Sequence, residues 1–218
     1  MYLGYGGEFF KPGTAEPSVN NDKGVATLEM LKSLADLSNP DFLTHDSEAI
    51  KVEWESGKVG VMTLWASRSG TLLDDEGDAA ITAATKLAAP ATVGGGSVPA
   101  ATLWWDGFTL ATNRPDADAE ASFQALVHAA TSAKMANDAS DQAVWLVKGF
   151  TPGPKSLGVL AAAEMGANPY PMLPHMSLMH GALGSEIVDF LQGKESAEQA
   201  LADVEAAYTA TAKEKGFL

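Results

Sequence analysis

The stretch Ser56-Gly-Lys-Val-Gly-Val-Met-Thr-Leu-Trp65 decides how the rest of the chain is read. Val59, Val61, Met62 and Leu64 lack the polar alternation of a half-solvated strand, so a short strand covered on both faces is expected here. A helix is expected before it, over roughly 46–56, carrying Ile50 and Trp54 and ending at Gly57. The polar turn Ala66-Ser-Arg-Ser69 follows. Helix, buried strand and polar turn in that order make an α/β layer arrangement, and ligand contacts gather at strand ends in such folds.

Working outward, Asn21 is a plausible N-cap for a helix with Val25, Leu28, Leu31, Ala35 and Leu37 at helical spacing, stopped by Asn39-Pro40. Residues 1–20 are rich in Gly and Pro and hold Tyr2, Tyr5, Phe9 and Phe10, a loop with embedded aromatics. Ala88–Ala101 is expected to be irregular because of Pro90, Gly94, Gly95, Gly96 and Pro99. From Trp104 to Thr112 the chain reads as a loop leading into a second buried strand. Phe123, Leu126, Val127 and Ala130 form the stripe of the next helix. A helix is expected near 182–192 through Leu183, Ile187, Val188 and Phe190. Ser196 and Gln199 form a capping box for the last one, whose inner face holds Leu201, Val204, Ala207 and Tyr208.

Composition narrows the function. The chain has 218 residues, enough for a core of ordinary size. Its 28 acidic and 14 basic side chains give a net charge of −14. That field repels phosphate backbones, so no nucleic-acid partner is expected, and anionic substrates are disfavoured while neutral ones are not. There is no cysteine, which removes thiol catalysis and disulfides. No apolar run is long enough to cross a bilayer, and the first residues do not read as a signal peptide.

Five ordered segments carry a resemblance. They are Tyr5-Gly-Gly-Glu-Phe-Phe10; Ala49–Trp54 followed by Ser56–Met62; a Pro/Gly loop leading to Trp105-Asp-Gly-Phe-Thr-Leu-Ala111; Gly149-Phe-Thr-Pro152; and Leu191-Gln-Gly-Lys-Glu-Ser-Ala-Glu-Gln-Ala-Leu201. In this order they resemble the C-terminal half of the extracellular solute-binding proteins of carbohydrate ABC importers, the maltose-binding-like group. The resemblance implies a single lobe of the type II periplasmic binding protein fold over 1–218, with helices on a short mixed sheet. It implies a first lobe absent from this chain, toward which the last helices (about 182–212) would pack. It also implies a non-catalytic role: holding a neutral mono- or oligosaccharide between two lobes in the periplasm for an ABC permease. No cofactor is implied. One lobe alone should bind weakly or not at all. The alternative is a structural or interaction protein that pairs with a separate first lobe or with itself.

Sugars offer C–H faces to aromatic rings and hydroxyls to charged or amide groups. Trp65, at the end of the expected strand, and Arg68, in the turn after it, fit that need. Trp104 and Trp105 would point to opposite faces of a strand, so at most one meets a given ligand. The resemblance favours Trp105 with Asp106. It also places ligand contacts near Phe150 and draws attention to Tyr5, Gly6 and Gly7, where glycine permits close backbone approach. Trp145 reads as a helix-end aromatic and Trp54 as helix packing beside Ile50.

Catalysis and metal binding find little support. A glycosidase needs two carboxylates flanking a bond. With so many acids, Glu53/Glu55 and Asp74/Asp75/Glu76 read as solvated faces. There is no Gly-x-Ser-x-Gly or His-Glu-x-x-His, and Gly94–Gly96 lacks the following Gly-Lys-Ser/Thr of a phosphate loop. His175 and His180 are not spaced for a metal on one helix face. Met165, Tyr170, Met172, Met176 and Met179 suggest an adaptable apolar surface.

Overall fold

The computed structural model describes residues 1–74, 77–131, 144–145 and 147–218. Asp75 and Glu76 lie outside the described residues. The fold is mixed α/β and mostly helical, with one small parallel two-stranded sheet among the described residues, β1 (Thr102–Leu103) beside β2 (Asn168–Pro169). The chain divides into two compact units. The first comprises Met1–His45, Ala91–Thr102 and Met165–Leu218; the second comprises Asp46–Pro90 and Leu103–Glu164.

The first unit is built on three helices: α1 (Asp22–Ala35), α7 (Met176–Leu191) and α8 (Ala197–Glu214). Asn21 caps α1 as expected, its side chain accepting from the backbone N–H groups of Lys23 and Gly24. Ser196 caps α8 by accepting from Gln199 N at 3.2 Å. Between α7 and α8 the chain turns at Gly193, whose φ of 74° is open to glycine at little cost.

The apolar residues of α8 recur at Ala197, Ala200, Leu201, Val204, Tyr208 and Ala212, and all are buried. They meet Met179, Ala182 and Phe190 of α7 and Leu28 of α1 in one core, which Tyr2, Phe10 and Val19 complete. Leu37, expected on the α1 stripe, is instead 86% exposed, because the helix ends before it.

Hydrogen bonds fix the non-helical start of the chain to this core. The Tyr2 hydroxyl donates toward the Ser18 carbonyl at 2.8 Å and accepts from Asn21 Nδ2 at 3.0 Å. Burial is the main cause pushing the Tyr2 phenol above its ordinary pKa. A single Glu205 oxygen on α8 accepts from Val19 N at 2.8 Å and Asn20 N at 2.9 Å. Glu205→Ala leaves both donors without that acceptor, and Val19 is buried. The expected loss is about 2 kcal/mol in urea denaturation, with Glu205→Gln costing under half of that because an amide oxygen still accepts.

The second unit contains α2 (Ser47–Glu55), the single turn α3 (Ser69–Leu72), α4 (Ala79–Ala84), α5 (Asp116–Thr131) and α6 (Leu157–Glu164). Asp46 caps α2 by accepting from Glu48 N and Ala49 N. The Ala49 N–H is the foremost cause holding its carboxyl below the usual range. Trp54, placed on α2 as expected, donates from Nε1 to Thr85 Oγ1 at 3.0 Å. Gly57, at φ 71°, follows the end of α2, its N–H donating back to the Trp54 carbonyl at 2.9 Å.

Two expectations fail in this unit. Residues 59–65 form no strand. Met62 and Leu64 are half-buried, while Val61 is 89% exposed and Trp65 is exposed, so one side is covered and not two. Residues 104–112 form no strand either, and every residue from Trp104 to Asp118 is exposed. An apolar run selects burial but supplies no neighbouring ladder, and backbone pairing is what makes a strand. Helix α5 is where it was expected, yet Phe123 and Val127 on its apolar stripe are exposed.

Candidate functional site

Five of the eight candidate residues belong to the second unit: Trp65, Arg68, Trp105, Asp106 and Phe150. Trp65 opens a 3-10 turn over Ala66–Arg68, and Arg68 N donates back to the Trp65 carbonyl at 2.9 Å. The turn is tied down at Ser69. Its hydroxyl is buried and lies 2.7 Å from the Ala66 carbonyl and 2.6 Å from the Lys155 carbonyl. The Trp65 backbone is thereby fixed while its side chain stays 53% exposed.

The ring that meets Trp65 is Trp104. The two centroids are 5.4 Å apart and the planes are 89° to each other, an edge-to-face pair. Sequence reasoning favoured Trp105 for the ligand wall and set Trp104 aside. Adjacent tryptophans are indistinguishable in sequence until the backbone direction is known, and without a strand the rule of opposite faces does not apply. Trp105 is 51% exposed, Asp106 is exposed beside it, and Phe108 follows at 70%. The segment therefore presents aromatic rings and one carboxylate to solvent.

Arg68 is half-buried, and its guanidinium is ion-paired with Glu48 at the start of α2. Glu48 sets a carboxylate against that charge. Phe150 is half-buried in a turn where Gly149 has φ 93° and Phe150 N donates to the Val147 carbonyl at 3.2 Å. Beyond Phe108 in the chain, Thr109, Leu110, Ala111, Arg114, Ala119 and Ser122 line an open depression.

Tyr5, Gly6 and Gly7 belong to the first unit. Tyr5 ends a 3-10 turn, and its ring lies so close under Gly94 that a Cβ there would come within 2.7 Å. Gly6 has φ 73°, and its carbonyl accepts from the Lys23 ammonium. Gly7 is buried, and a Cβ on it would fall 2.3 Å from the Tyr2 ring. Local packing and turn geometry account for both glycines.

Among the described residues, no three His, Asp or Glu side chains are grouped to hold a metal ion. No described helix is long and apolar enough to cross a membrane. No protein-family model matches the chain, and no curated protein matches its sequence.

Proposed function

We propose that this chain is a non-catalytic sugar-binding lobe of an ABC-importer substrate-binding protein of the type II periplasmic kind. One observation carries the reading: Trp65, exposed at a turn tied down by Ser69, meets the exposed Trp104 edge to face, and Trp105 is exposed next to Trp104 in sequence. Exposed indoles lose apolar hydration when a sugar face covers them, and a fixed backbone lowers the ordering cost of binding. The ordered motifs from Tyr5 to Leu201 support the same reading, and the acidic balance favours a saccharide without acidic groups.

The aromatic surface is open and not enclosed, so a bound sugar keeps much of its own surface in water. Its affinity is therefore expected to be weak, on the order of millimolar. Titration of neutral and amino-bearing sugars is expected to shift tryptophan fluorescence with millimolar midpoints, and Trp65→Ala to abolish the shift. Micromolar binding to the monomer would overturn the open-site account. Absence of any response across the panel would overturn a sugar site on this lobe alone.

A second reading, an interaction protein, is favoured by the second unit's surface. Among its described residues Leu72 and Ala162 are the buried apolar side chains, while Val52, Val61, Phe108, Phe123 and Leu157 are exposed. Such a surface gains free energy when a partner covers it. Light scattering separates the readings: a tight dimer favours this second one, a monomer the first.

A further inference from the structure

We propose that the Trp65–Trp104 corner takes a cationic saccharide, a pyranose carrying a primary ammonium group, in preference to a neutral sugar. The inference rests on the sugar reading above and sharpens it by charge. Three features of the second unit lead to it.

The first is ring geometry. A flat sugar face stacks on a single flat ring, and a second ring at right angles adds little to that stacking. A compact cation is different, because each ring face that looks toward it adds its own attraction through the ring quadrupole. Two indoles at 89° with centroids 5.4 Å apart present faces in two directions, and Trp105 and Phe108 are exposed on the same segment.

The second is the charge on the two chain segments that carry the rings. Asp106 is exposed two residues after Trp104, on the same loop. Arg68, three residues after Trp65, carries a guanidinium that would repel an ammonium, and Glu48 is ion-paired to it; Arg114 lies eight residues beyond Asp106. Lys155 meets the turn through its backbone carbonyl, which accepts from Ser69.

The third is the field of the whole unit. Asp46–Pro90 holds eight acidic and four basic residues, and Leu103–Glu164 holds seven and four. The excess of acid attracts a cationic ligand and gives no advantage to a neutral one. An exposed aromatic corner, a carboxylate on its loop and an ion-paired arginine are the features that would favour an ammonium over a hydroxyl at the same ring position.

The test uses the intact chain with three sugars at matched ionic strength and a pH that keeps the amine protonated: glucosamine, N-acetylglucosamine and glucose. Choline serves as a cation that is not a sugar. Indole N–H resonances and tryptophan fluorescence report binding. Glucosamine is expected to bind about five-fold or more tightly than either uncharged sugar. Added salt should erode that advantage, and Asp106→Asn should remove most of it. Equal affinity for the three sugars overturns the charge inference and leaves the sugar reading standing. Choline binding as tightly as glucosamine, with no response to the two uncharged sugars, overturns the sugar reading and leaves a cation site. Silence from all four overturns both.

Discussion

Gly24→Ala is expected to destabilise the first unit by about 3 kcal/mol, against the usual sign for such a change. In a helix, replacing glycine by alanine ordinarily stabilises by up to ~1 kcal/mol, since alanine loses less backbone entropy on folding. At Gly24 the space is already taken. A Cβ would lie 2.0 Å from the Val19 carbonyl oxygen and 2.9 Å from Leu201 Cδ1. The leucine can rotate; the carbonyl cannot move freely, because Glu205 holds Val19 N and Asn20 N on the same short segment. Relieving the clash means displacing either the Asn21 cap or the Glu205 contact, and the steric cost exceeds the gain in propensity. Gly184→Ala on α7 is the matched control. Gly184 is exposed, and a Cβ there meets nothing within 4 Å. It should stabilise by roughly 0.5–1 kcal/mol. Urea denaturation followed by far-ultraviolet circular dichroism reads both, and a stabilised or neutral Gly24→Ala would refute the packing described around α1.

Tyr208→Ala is expected to cost about 3–5 kcal/mol. Tyr208 is fully buried, its ring lies 5.4 Å from that of Phe10, and its hydroxyl donates to the Ala15 carbonyl at 2.7 Å. Tyr208→Phe separates the two contributions. It keeps the ring and removes the donor, so it should cost about 1 kcal/mol, the net worth of one hydrogen bond. If phenylalanine were as damaging as alanine in the same denaturation experiment, the polar tie to the Ala15 loop would dominate over ring packing, contrary to the burial seen here.

The helices of the first unit were legible in the sequence, and the reason lies in their ends and faces. Asn21 and Ser196 are cap residues acting on their own neighbours, and Leu201, Val204 and Tyr208 repeat at a helical period. Both signals are local. The two expected strands were not legible, because a strand requires a partner that its own residues do not specify. Val59–Trp65 and Trp104–Thr112 have strand-like composition and no ladder. The ties from Glu205 to Val19 and from Tyr208 to Ala15 were also invisible, since glutamate on a helix face reads as a solvated charge and tyrosine as core filling. At the candidate site, the sequence identified Trp65 as a ring near a turn. It could not identify Trp104 as its neighbour, because that contact depends on the path of a loop.

The contact between α8 and the first twenty residues has a kinetic consequence. Tyr208 reaches Ala15 across 193 positions, and Glu205 reaches Val19 across 186. Closing so wide a loop costs only slowly growing entropy at equilibrium, but it must be met before the reward arrives, and such long-range closures slow folding. During synthesis the aromatic loop around Tyr2 and Phe10 therefore waits, without its docking surface, until α8 has left the ribosome. Over that interval its rings have no core to enter.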